Sequence, residues 1–372
     1  MVKLRRKGWV KKIKLNLGKR NYSILIGNRI LKNLPGCIKK LNIGRDALII
    51  TNPKIKKIAG AKLENSLKKG GISYRFECVP DSEKSKSQRI AFKLIDKVSK
   101  YAKGKRVFII ALGGGVIGDL SGFIASVYKR GIPYIQIPTT LLGQIDSSIG
   151  GKVAIDLDCG KNLVGAFYQP SLVLCDISLL KSLPKKQLRA GLAEAVKYGI
   201  IKDKLLFSYI EKNYSNILNL NNQNLEHIIN KCAAIKAKIV SLDEKEKKGI
   251  RTILNYGHTI GHAIETAGRF KAYTHGEAIA LGMLAAQRIA GKLKIFTNQK
   301  EEKRITDILA NIGLPSKIKG LKLNSIIKAQ SFDKKFIHGK NRFVLPKAIG
   351  RVIIKEGIPL KIIQKSVESL RE

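Results

Sequence analysis

Between residues 12 and 138, short β-branched runs alternate with helix-length stretches, and no other property of the chain restricts its fold as strongly. Lys12–Leu17 and Tyr22–Ile26 alternate polar and apolar residues about Gly18-Lys19-Arg20-Asn21, a hairpin pattern. Ala47–Thr51, Ser73–Cys78, Arg106–Ala111 and Tyr134–Pro138 read as strands. Ile55–Lys69 and Ser87–Tyr101 between them read as helices, the second with Ile90, Leu94, Ile95 and Val98 on one face. Strands alternating with helices build a parallel sheet flanked by helices, with ligands beyond the carboxyl ends of the strands.

After Leu183-Pro184 the period changes. Residues 186–198, 204–217, 225–242, 253–266, 277–292 and 300–311 carry helical periodicity, and only Arg342–Pro346 and Arg351–Ile354 look extended. The expected organisation is an α/β domain over residues 1–182 and a mostly helical domain over 183–372.

Composition excludes several classes. With 44% hydrophobic residues the chain can bury a core, and its longest apolar runs, such as Val107–Leu112, are strand-sized, so no membrane span is expected. The basic segment Met1–Lys14 lacks the apolar stretch of a signal peptide, and the five scattered cysteines form no C-x-x-C pair. The scattered cysteines point to a reducing compartment, and a cytoplasmic location is expected. The formal net charge is +44, from 71 Lys+Arg against 27 Asp+Glu. A polyanion partner would explain it, but the lysines are spread from end to end and aromatics reach only 6%. The surplus reads as solvated surface, with no nucleic acid expected and an anionic small substrate favoured.

Five segments can carry chemistry. Gly113-Gly114-Gly115-Val116-Ile117-Gly118-Asp119 follows a strand and opens a helix, where backbone N–H groups can meet a phosphate; a plain tight turn would look the same. Three of the five histidines, His258, His262 and His275, fall close together. The pair His258 and His262 shares a helix face at i, i+4, so spacing alone points to these two as metal ligands. Glu194 and Lys197 stand one turn apart and by themselves read as a surface ion pair. Asp146–Lys152 and Gly160-Lys161-Asn162 are polar, loop-like clusters that suit phosphate or polyol recognition.

Taken together, the stretches GGGVIGDLSGFIASVYKRGI, QIPTTLLGQIDSSIGGKVAID, GKNLVGAFYQP, LRAGLAEAVKYGII, LNYGHTIGHAIE and HGEAIALGM resemble the 3-dehydroquinate synthases, in the family's order from residue 113 to 283. The resemblance implies a Rossmann-like N-terminal domain with a mostly α-helical C-terminal domain. It implies NAD+ on Asp81, Ser82, Glu83, Lys84, Ser85 and Lys86, on Gly115, Val116, Ile117, Gly118 and Asp119, on Thr139 and Thr140, and near Leu179, Leu180, Lys181 and Ser182. Asp146, Lys152 and Lys161 also fall on cofactor positions. It implies Zn2+ (or Co2+) on Glu194, His258 and His275, which makes His262 an active-site group instead of a ligand.

The implied catalytic set is Lys152, Lys197, Lys236, Arg251, Asn255 and His262, and the implied substrate set is Arg130, Asp146, Lys152, Lys161, Asn162 and Lys335. Arg130 would reach the phosphate of a dimer partner's substrate, so a homodimer is expected. The substrate would be the phosphorylated sugar acid 3-deoxy-D-arabino-heptulosonate 7-phosphate. NAD+ would oxidise its C5 hydroxyl, phosphate would leave by β-elimination, NADH would return the hydride, and an intramolecular aldol step would close the ring. Asn52 ends its strand where an acidic residue is the usual partner of an adenosine ribose. The alternatives are another sugar phosphate cyclase and a metal-dependent polyol or glycerol-phosphate dehydrogenase.

Overall fold

A computed structural model describes residues 10–331 and 341–372. The chain divides into two compact units, Met1–Leu183 with Leu225–Lys245, and Pro184–Asn224 with Glu246–Glu372.

Unit one is built on a seven-stranded sheet of order β1-β2-β9-β6-β5-β3-β4. Its strands are β1 (Lys11–Leu15), β2 (Tyr22–Gly27), β3 (Asp46–Thr51), β4 (Ser73–Cys78), β5 (Val107–Gly113), β6 (Tyr134–Pro138) and β9 (Leu172–Asp176). Only the β1–β2 hairpin is antiparallel. The strands β7 (Lys152–Leu157) and β8 (Gly160–Phe167) form a separate hairpin. The helices are α1 (Leu34–Leu41), α2 (Pro53–Ile55), which runs through a wider turn into α3 (Ala61–Lys69), α4 (Gln88–Tyr101) and α5 (Gly115–Val127).

The period of two decides which helix covers which face. Phe108, Ile110 and Leu112 of β5 pack with Leu34 and Ile38 of α1 and with Leu63 and Leu67 of α3. Val107, Ile109 and Ala111 pack with Leu94 and Val98 of α4 and with Leu120 and Ile124 of α5. Each such side chain contributes about 1.5–3 kcal/mol by burial. The crossover after β3 therefore lies on one face and the crossover after β5 on the other. Between two adjacent strands that diverge in this way a crevice opens at the carboxyl edge.

Unit two contains α6 (Lys185–Lys202), α7 (Lys204–Leu218), α9 (His258–Ala267), α10 (His275–Lys292), α11 (Gln299–Ile312), α12 (Leu323–Ser331), α13 (Leu360–Glu368) and one hairpin of β10 (Arg342–Ala348) with β11 (Arg351–Glu356). α10 is its central helix, buried along most of its length. The helix α8 (Asn222–Leu242) lies between α7 and α9 in sequence but from Leu225 belongs to unit one, so the helical region is not one continuous domain from residue 183. Its polar anchors explain this. Glu226 pairs with Lys11, Ser241 accepts from the Asn16 N–H, Lys236 pairs with Asp146, and just beyond it Glu244 pairs with Arg20. No helix among the described residues is long and apolar enough to cross a membrane.

Candidate active site

In unit one, all four segments assigned to the cofactor follow carboxyl ends of parallel strands: Asp81–Lys86 after β4, Gly115–Asp119 after β5, Thr139-Thr140 after β6 and Leu179–Ser182 after β9. The ends of β3 and β5 are tied by Thr51 Oγ1, which donates to the Leu112 carbonyl at 2.7 Å. The Thr139 N–H donates to the Gly113 carbonyl at 3.0 Å. A Cβ on Gly114 would stand 3.1 Å from Thr140 Cγ2, so a glycine keeps this turn narrow. No side chain caps α5, which leaves its first N–H groups open to an anionic ligand.

The strand end that lacks an acidic residue is served from a neighbouring loop. Asn52 Oδ1 accepts from the Ile55 N–H at 2.8 Å, and Asn52 Nδ2 donates to Asp81 Oδ1 at 2.8 Å. The asparagine thus caps a helix and brings a carboxylate to the β3 end.

Lys86 is buried, with its Nζ 2.8 Å from Asp119 Oδ2, 2.5 Å from Asn162 Oδ1 and 3.9 Å from Glu83 Oε1. Burial works against its charge, but Asp119, then Glu83 and Asp156, outweigh it and raise its pKa. Asn162 adopts a left-handed backbone (φ 55°) and its N–H donates to Asp156 Oδ1 at 2.8 Å. Lys161 Nζ lies 3.5 Å from Glu83 Oε1. Of the two clusters expected as loops, Gly160-Lys161-Asn162 opens strand β8, whereas Asp146–Lys152 runs from a wide helical turn over Gly143–Ser147 to the first residue of β7. Arg130 is exposed, also left-handed at φ 61°. Lys236 donates to the Asp146 carbonyl at 2.7 Å and to its carboxylate.

In unit two the sequence brings Glu194 of α6 together with His258 of α9 and His275 at the start of α10. Gly276 permits the approach, because a Cβ there would lie 2.2 Å from Ala190 Cα, one turn before Glu194. Gly282 does the same between α9 and α10, where a Cβ would lie 1.9 Å from the Gly257 carbonyl oxygen. Glu194 Oε1 lies 3.4 Å from His258 Nε2 and 3.2 Å from His275 Nε2, and Lys197 Nζ lies 2.5 Å from Glu194 Oε2. His258 Nδ1 donates to the Tyr256 carbonyl at 3.1 Å, and His275 Nδ1 lies 3.2 Å from Glu265 Oε2.

Electrostatics separate the roles. Burial would raise the Glu194 pKa, but Lys197 and then the two histidines hold it well below the usual carboxylate range. Burial first, against the opposing pull of Glu194, pushes His258 well below its usual value. His275 is also opposed by burial, yet its contacts with Glu194 and Glu265 push it up to about 10. One anionic carboxylate and two imidazoles with tethered Nδ1 atoms fit a divalent ion such as zinc.

The pairing of His258 with His262 suggested by their spacing does not survive. Their rings meet edge to face at 5.2 Å, but the ligand atoms that converge within 4.8 Å are those of Glu194, His258 and His275. A helix face supplies two positions, and the third arm, from α6, completes a set with His258 but not with His262. His262 falls instead in a second convergent group with Glu265 and His275. Glu265 escaped the sequence reading, although it follows His258 by two helical turns on the same face. Arg251 is buried with its Nε 3.3 Å from Glu246, and Asn255 ends the tight turns just before α9. Lys335 lies outside the described residues.

A family model described as 3-dehydroquinate synthase N-terminal matches residues 77–190, and one described as 3-dehydroquinate synthase C-terminal matches residues 191–336. The 3-dehydroquinate synthase of Desulforamulus reducens is 44% identical over 343 residues, 92% of this chain and 95% of that one. That of Thermodesulfovibrio yellowstonii is 42% identical over 346 residues, 93% of this chain and 96% of that one. Among solved structures, a 2-deoxy-scyllo-inosose synthase complexed with carbaglucose-6-phosphate, NAD+ and Co2+ superposes with a TM-score of 0.88 at 26% identity, covering 96% of this chain and 100% of that one. An iron-containing alcohol dehydrogenase from Thermotoga maritima, at 16% identity and a TM-score of 0.67 over 93% of this chain and 97% of that one, shares the fold. On the identity and coverage of its curated relatives, the chain belongs to the 3-dehydroquinate synthase family.

Proposed function

We propose that this chain works as a 3-dehydroquinate synthase, a lyase that converts 3-deoxy-D-arabino-heptulosonate 7-phosphate to 3-dehydroquinate and phosphate. The observation that carries the reading is the donor set Glu194, His258 and His275 with the buried ammonium of Lys197 against it. Bound NAD+ supplies a transient hydride acceptor and a divalent ion, zinc or cobalt, a Lewis acid. The NAD+ and Co2+ of the 2-deoxy-scyllo-inosose synthase complex support that pair.

The roles of the chain's residues follow from their chemistry. The uncapped first-turn N–H groups of α5 suit a pyrophosphate, and Asp81, held by Asn52, suits a ribose hydroxyl. Lys152, Lys161, Asn162, Arg130 and Lys335 are assigned to the anionic ends of the substrate, and Arg251 to its carboxylate. Lys197, Lys236, Asn255 and His262 are assigned to positioning and proton transfer. The working form is taken as a cytoplasmic homodimer; the exposed Arg130 and five cysteines outside any disulfide support that reading.

The test is a phosphate-release assay on the heptulosonate phosphate. Release that requires NAD+ but accumulates no NADH supports the reading, because elimination sits between oxidation and re-reduction. Stoichiometric NADH from a polyol would place the chain among the dehydrogenases.

A further inference from the structure

Glu265 stands beside the metal-binding set without belonging to it. Its Oε2 lies 3.2 Å from His275 Nδ1, and a carboxylate can only accept there. The proton is thereby fixed on Nδ1, and Nε2 is the nitrogen that faces an ion on the Glu194 side, where the two atoms are 3.2 Å apart. His258 is served by the neutral carbonyl of Tyr256 at 3.1 Å. One ligand thus has a charged tether and the other an uncharged one.

We propose that Glu265 is a positioning residue for the metal centre: it fixes the tautomer and ring plane of His275 and raises the donor strength of Nε2 without touching the ion. The proposal rests on the reading of Glu194, His258 and His275 as the ligands. Two observations favour it over a structural ion pair or a ligand role. The backbone at His275 is already held by a capping box, in which Thr274 N–H and Oγ1 both donate to Glu277 Oε2 at 2.7 Å. Glu277 thus governs the helix end, and the Glu265 carboxylate meets the ring. The rival group of His262, Glu265 and His275 converges within 4.8 Å and would make Glu265 a ligand. It shares His275 with the first group, however, and the two nitrogens of one imidazole face opposite ways. Filling both groups would require a ring stripped of both protons.

The experiment uses the full chain freed of metal, titrated with Zn2+ against a chromophoric chelator. The parent is expected to bind one ion. Glu265→Ala should weaken Zn2+ binding about 10–100-fold with the stoichiometry unchanged, as loss of an outer partner of a ligating histidine does. Glu265→Gln keeps an oxygen acceptor for Nδ1 but not the charge, and should fall between Glu265→Ala and the parent. Circular dichroism of the metal-free chain should match the parent in both variants. Parent affinity in Glu265→Ala overturns the proposal, and so does lost structure in the metal-free variants. A fall from two ions to one in both variants makes Glu265 a ligand and overturns it too. If the parent binds no Zn2+, or His258→Ala binds it as tightly, the metal-site reading itself has failed, a result no Glu265 variant can mimic.

Discussion

The ammonium of Lys86 stands 2.5 Å from the side-chain oxygen of Asn162, joining the loop after β4 to the β7–β8 hairpin, and it touches Asp119 at the head of α5 as well. One buried cation thus organises three segments. Replacing it leaves Asp119 and Asp156 without their shared counter-charge and Asn162 without the partner that turns it. Lys86→Met is expected to weaken NAD+ binding and raise KM for the phosphorylated substrate, each by about tenfold, or about 1.4 kcal/mol. Nucleotide fluorescence titration and initial rates check it; a variant with both constants at parent values removes Lys86 from this role.

His258→Ala and His275→Ala should lose the metal and turnover together, and His262→Ala should keep the metal but lose rate. Elemental analysis after dialysis measures the first property and phosphate release the second. An empty site in His262→Ala with a filled one in His275→Ala would restore the i, i+4 pair as ligands.

The protonation states predict how binding depends on pH. In the metal-free chain Glu194 is ionised and His258 neutral, while His275 keeps its proton up to about pH 10. Metal entry must expel that one proton. Calorimetry at about pH 7.5 in buffers of different ionisation enthalpy should show about one proton released per ion, and affinity should fall roughly tenfold per unit of pH below that. The raised pKa also stabilises the metal-free fold below the range of a free histidine, and this contribution disappears as pH climbs through about 10. Zero protons released would mean that the histidine is already neutral.

The surplus charge is predicted to be mostly inert. Lys12 and Lys14 are exposed on β1, whereas Lys236 is buried against Asp146. Lys236→Met should destabilise the chain by about 2–4 kcal/mol by stranding a partly buried carboxylate, and Lys12→Gln with Lys14→Gln should stay within about 0.5 kcal/mol. Chemical denaturation measures both. The reverse ranking would return weight to a polyanion-binding surface.

Much of unit one is legible in the sequence because β3, β4, β5 and β6 are bounded runs with helices between them. β9 is not, although Leu172–Asp176 is as short and as buried as β6, because it follows the β7–β8 hairpin and so falls outside the strand–helix alternation. The β7–β8 hairpin hides behind Gly150 and Gly151, which take positive φ, and behind the mostly exposed residues of β8, which carry no inward face. The metal site is legible in part. Helical spacing identifies His258 as one member, but Glu194 arrives from another helix through the glycine contact at Gly276, and no periodicity encodes such a meeting. Only the family resemblance supplies it. The buried anchors of α8 are equally silent, because a lysine destined for Asp146 looks like any other lysine in a chain that has so many.

The interrupted course of unit one sets the order in which it can be made. A ribosome that has delivered residues up to Leu183 has delivered every strand of the seven-stranded sheet, but not the segment Leu225–Lys245 that belongs with it. Until that segment emerges, Asp146 lacks Lys236, Arg20 lacks Glu244, and the apolar positions Leu225, Ile228, Ile229 and Cys232 have not been made. The nascent sheet must therefore wait through the synthesis of α6 and α7, and a gene cut at the apparent domain boundary would encode a protein still missing one of its walls.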